Sequence, residues 1–82
     1  MYLDDVKQIL IDILNLGEEG HAMNAQTRLL GSIAELDSMA VVNVITALEE
    51  QFGIAVDDDE ISASTFETLG TLSAFVERKL AA

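Results

Sequence analysis

The chain has 82 residues, half of them apolar, no Cys or Pro, one His, and 15 Asp or Glu against four Lys or Arg, for a formal net charge of -11. That length holds one small domain, 1–82, and the composition excludes a disordered acidic tail, disulfides, a cysteine zinc site and a multi-histidine metal centre. The acidity argues against nucleic acid and membrane surfaces, which are anionic themselves, and for protein partners that carry basic patches.

Asp4 and Asp5 stand where a secretory signal needs cations, and no apolar run reaches membrane-spanning length, so a soluble cytoplasmic monomer is expected. Leu3, Val6, Ile9, Leu10, Ile13 and Leu14 have helical spacing and predict a first helix over about 2 to 16, stopped by Gly17 and Gly20. From Gly17 to Leu36 there is no sustained period. A connection of roughly twenty residues is long for a compact domain. Leu29, Leu30, Ile33 and Leu36 are placed to pin it to the core; a separate helix over 27–36 is the alternative, and Gly31 weakens it.

Val41, Ile45, Leu48 and Phe52, with Val44 alongside, predict a second long helix with Asp37 as N-cap and Gly53 as its stop. Met39, Asn43, Thr46 and Glu50 fall on the opposite face, with Ala47 at its margin and Val42 on the border. That face carries little charge for so acidic a chain, which makes it a candidate contact surface. Ile54-Ala55-Val56 has no evident pairing partner, and a short helix near 59–66 with an acidic first turn is expected instead. Leu69, Leu72, Phe75, Val76 and Leu80 give a last helix, its end marked by Arg78 and Lys79. The fold class read from this is all-α: a four-helix bundle of three longer helices and one short one, with a long loop between the first two.

Catalytic constellations are scarce. His21 is the single imidazole and lies in the long loop, where a solvated surface role is the ordinary one. Asp57-Asp58-Asp59-Glu60 lacks the alternating ligands, central Gly and distant Glu of a calcium loop, so loosely held divalent cations at a solvated helix start are the expectation there. Asp37-Ser38 taken alone means helix capping. In context, however, Leu36-Asp37-Ser38-Met39, then Val42, Val44 and Ile45, then Ala47-Leu48-Glu49-Glu50-Gln51-Phe52-Gly53-Ile54, resembles the acyl carrier protein family. The likeness runs on through Phe66, Leu69, Leu72 and Phe75, and covers essentially the whole chain.

The resemblance implies a carrier, not an enzyme: a 4′-phosphopantetheine arm on Ser38, acyl groups riding on its thiol as thioesters, and delivery to partner enzymes. Its partners would be a phosphopantetheinyl transferase, an acyl-loading ligase or transferase, and acyl-using synthases with basic docking patches. It implies an apolar crevice between the second long helix and the short third one, with Val42, Val44, Ile45 and Ile61 as candidate lining. It also implies a recognition face drawn from Asp37, Met39, Val42, Asn43, Thr46, Ala47, Glu49 and Glu50. A serine at a helix start suits this chemistry, because the helix dipole favours the phosphodiester anion.

Departures from the family pattern are informative. The residue after the serine is usually Leu and is Met39 here, while two positions that usually carry acids are Ala40 and Asn43. Missing contact charges change partner preference rather than fold, which suggests a dedicated lipid, polyketide or polysaccharide-associated pathway rather than housekeeping fatty-acid synthesis. Peptidyl carriers usually have Gly-Gly or Gly-His before the serine, against Glu35-Leu36-Asp37 here. A D-alanyl or aminoacyl carrier, and an unmodified acidic helical adaptor, remain as alternatives.

Overall fold

The structure, a computed structural model, describes residues 2–29, 31, 33 and 36–81, with the backbone alone of Asp58. Leu30 and Glu35, which the sequence placed in the loop and in the serine motif, lie outside the described residues. The elements are α1 (Leu3–Leu14), α2 (Glu18–His21), α3 (Ser38–Phe52), a 3-10 turn (Asp58–Glu60) and α4 (Leu69–Ala81). The all-α bundle of three longer helices is therefore present, with no strand among the described residues. No described helix is long and apolar enough to cross a membrane.

Helix α1 buries Val6, Ile9, Leu10, Ile11 and Leu14 and lies against both α3 and α4. It ends earlier than the glycines suggested. Asn15 takes the left-handed conformation, φ 56° and ψ 45°, which Asn tolerates better than most residues, and Leu16 then turns back into the core. Tyr2 meets Phe52 edge to face at 5.6 Å, so the start of α1 sits beside the end of α3 and the two run antiparallel.

The long connection contains the short α2. Of the alternative helix over 27–36, residues 27–29 are non-helical, turn bonds run from the Ile33 N–H to the Leu29 carbonyl and from the Leu36 N–H to the Ile33 carbonyl, and 30, 32, 34 and 35 lie outside the described residues. Its order comes from the far end of the chain. Arg28 forms an isolated antiparallel bridge with Thr68. The N–H of Leu29 donates to the Glu67 carbonyl, Leu69 to Thr27, and Gly70 to Ala25, at 2.9–3.0 Å. Gly70 is required there, because a Cβ would lie 2.8 Å from the Ala25 carbonyl oxygen. Leu29 and Leu36 are buried and Ile33 packs partly against the core, so these three hold the loop as expected.

Two further expectations are corrected. Along α3 the expected Val44 and Leu48 are buried, and Val41, Ile45 and Phe52 pack half-buried against the core. Ala40, however, which stands at a position that usually carries an exposed acid, is buried too, one turn before Val44 on the same face. In place of a helix over 59–66 there is the Asp58–Glu60 turn followed by further turns. The Ser62 hydroxyl bonds to those of Ser64 and Thr65, and the Thr65 N–H donates to the Ser62 carbonyl. Hydroxyls that offer local partners compete with helical pairing.

Candidate functional site

Ser38 is the first helical residue of α3 and is exposed, as are Asp37 and Met39 beside it. Asp37 has extended backbone, φ -103° and ψ -172°, and its Oδ1 accepts from the Ala40 N–H at 2.9 Å. That cap satisfies one of the unpaired N–H groups of the first turn and fixes where the helix begins. Hence the carboxylate beside the serine is a structural cap. The Ser38 hydroxyl makes no hydrogen bond with the described residues, and no His, Asp or Glu cluster able to hold a metal occurs among them.

One turn further along α3, a groove of about 300 Å³ opens between the helix and the segment after it. Val41, Val42, Ile45, Thr46 and Glu49 form the helix side, and Val56 and Ile61 the facing wall. Thr46 donates its hydroxyl to the Val42 carbonyl at 3.0 Å, which removes a donor from the groove. A second cavity of about 300 Å³ adjoins it, lined by Val41, Ile61, Ser62, Ala63 and Phe66, so Val41 and Ile61 line both. Of the crevice candidates, Val42, Ile45 and Ile61 stand in the groove, whereas Val44 is wholly buried and belongs to the core. Val41 and Val56 were missed as groove lining; the apolar triplet Ile54-Ala55-Val56 was the available signal for the second of them.

Of the recognition candidates on α3, Ala47 and Glu49 are half-buried and the others exposed. Met39, Val42, Asn43 and Thr46 make an exposed strip running from Ser38, with Met39 at 69% and Val42 at 58% exposure. Glu50 is exposed at the helical spacing that continues this strip, and with the half-buried Ala47 it also borders a hollow of about 310 Å³ shared with Ile9, Asp12, Ile13 and Gln51. Glu49 faces the groove, where its Oε2 accepts from the Val56 N–H at 2.9 Å. Ala40 is buried, so of the two positions lacking an expected acid only Asn43 lies on the surface.

The groove wall has a second polar tie. Lys79 Nζ near the end of α4 lies 2.8 Å from Glu60 Oε2 and 3.0 Å from Oε1. Glu60 also accepts from the Asp57 N–H at 2.9 Å. First that N–H and then Lys79 hold the Glu60 carboxyl below its ordinary value.

This geometry fits a covalently attached arm: an exposed hydroxyl at a capped helix start, with an apolar groove one turn away. A family profile described as "Phosphopantetheine attachment site" matches residues 4–77. An acyl carrier protein of Wolinella succinogenes is 30% identical over 74 residues, covering 90% of this chain and 91% of its own. One from a Sulfurovum species is 31% identical over 74 residues, covering 90% and 92%. The solution NMR structure of a holo acyl carrier protein from Nitrosomonas europaea superposes with a TM-score of 0.93 at 65% identity, covering 100% of this chain and 99% of the other.

Proposed function

Since the chain belongs to the phosphopantetheine-binding acyl carrier protein family, we propose that Ser38 is the residue that takes the 4′-phosphopantetheine arm and that this chain delivers acyl groups from it to partner enzymes. The observation that carries the assignment is the exposed Ser38 hydroxyl at the capped start of α3, one helical turn from the groove. In loading, the Ser38 oxygen bonds to the phosphorus that bears pantetheine, the phosphoanhydride bond of coenzyme A breaks, and adenosine 3′,5′-bisphosphate leaves. The hydroxyl proton passes to the transferase, because no described base of this chain reaches it. The α3 N-terminus favours the phosphodiester anion that results. When bound, the arm supplies a thiol on which acyl groups are held as thioesters.

The residues around Ser38 act by presentation. Asp37 fixes the helix start, the Met39-Val42-Asn43-Thr46 strip offers partners a nearly uncharged surface within an acidic protein, and Val42, Ile45 and Ile61 give an acyl chain apolar cover. Partners with basic patches are drawn by the net charge, and selection among them falls to the strip. The exposed Asn43 and Met39 support a dedicated pathway over housekeeping fatty-acid synthesis.

Incubation of the unmodified protein with coenzyme A and a broad-range phosphopantetheinyl transferase, followed by intact mass measurement, should show one added arm, absent in Ser38→Ala. No gain in the parent protein, or an undiminished gain in Ser38→Ala, overturns the assignment. For the pathway, Asn43→Glu should raise turnover by housekeeping fatty-acid enzymes; an unchanged rate removes the support that Asn43 gives.

A further inference from the structure

The wall of the groove has little apolar anchorage near its start. After the left-handed Gly53, φ 66° and ψ 34°, the chain runs through Ile54–Asp57 without regular structure, so the Val56 N–H has no helical partner. The acceptor it finds is the Glu49 carboxylate, seven residues earlier on α3. Glu49 is half-buried while the adjacent Glu50 is exposed, and Glu49, Val56 and Ile61 all line the same groove. Further on, Glu60 ties the wall to Lys79 of α4, and beyond that Phe66 is buried in the core. The entry to the wall is thus fixed by one side-chain acceptor.

We propose that Glu49 is a positioning residue of the acyl groove: its carboxylate holds Val56, and through Val56 the facing wall, at the spacing that shelters an acyl chain, instead of serving as a charge that partners read. The inference rests on the carrier reading for the occupant of the groove, but not for the contact itself. What the role needs from Glu49 is a side-chain oxygen that accepts a hydrogen bond, and not a negative charge. Gln supplies that oxygen at the same reach, and Ala does not.

Glu49→Gln and Glu49→Ala separate the two roles. In the unmodified protein, the Val56 amide should exchange with solvent about tenfold faster in Glu49→Ala and near the parent rate in Glu49→Gln. With a medium-length acyl thioester loaded on the arm, thiol release at mildly alkaline pH should be faster in Glu49→Ala and unchanged in Glu49→Gln. Equal Val56 exchange in all three proteins overturns the proposal, as does equal loss of thioester protection in Gln and Ala. Failure of Ser38 to accept the arm defeats the carrier reading instead, and leaves the exchange result standing.

Discussion

On one side of α3, Val44 and Leu48 are closed off completely in the core that α1 and α4 share. On the other, Val41 and Ile45 are half-buried against a wall without regular helix, bordered by two cavities of about 300 Å³ each. The first side is held by continuous apolar burial, the second by point contacts: Glu49 to Val56, and Lys79 to Glu60. Losing any one side chain from a fully buried stripe is costly, whereas point contacts release one at a time at small cost. A carrier needs both, one side to stay folded while the other yields to cargo of varying size.

The contrast can be broken most strongly from the sealed side. Leu48→Ala empties a fully buried site and should cost about 2–5 kcal/mol, lowering Tm by about 10 °C or more. Ile61→Ala, on the groove side, should cost only about 1 kcal/mol because the site is half-buried, yet it should speed loss of a loaded thioester. Paired thermal melts and thioester lifetimes check this, and equal melting penalties would mean that both sides are built alike.

The smallest expected effect sharpens the comparison through pH. Glu60 is held below its ordinary value of 4.5 by the Asp57 N–H and then by Lys79. A lowered native pKa adds stability that is complete above the unfolded value and disappears as pH falls through the native one. Lys79→Met leaves the Asp57 N–H in place, so the fall in Tm between about pH 5 and about pH 3 should become smaller without vanishing. The cost of Lys79→Met should therefore be fully present near neutral pH, small because the pair is partly exposed, and should fade as Glu60 is protonated. An unchanged acid profile would show that Lys79 contributes nothing to holding the wall.

The elements near Ser38 were legible because local chemistry dictates them. Asp37 caps, Gly53 stops, and the long apolar periods of α1 and α4 have no competing reading. What was not legible is non-local or two-valued. A residue such as Val41 looks the same in sequence whether it meets a sealed core or a groove, so the stripe of α3 was legible but not which of its members are wholly buried. Glu49 belongs to an acidic pair that reads as surface charge, and only the turn at Gly53 brings Val56 back to it. Ala40 was grouped with Asn43 as a missing charge, although helix geometry points one inward and the other outward.

The bridge from Arg28 to Thr68, with its neighbouring bonds from Leu69 to Thr27 and Gly70 to Ala25, has a consequence for biosynthesis. The stretch of the loop over 25–29 is held by residues at the entry to α4, and closing so long a length of chain is an entropic cost that helix docking must first offset. A nascent chain that has not yet released α4 lacks the partner for this seam, and the approach to its serine is unfinished.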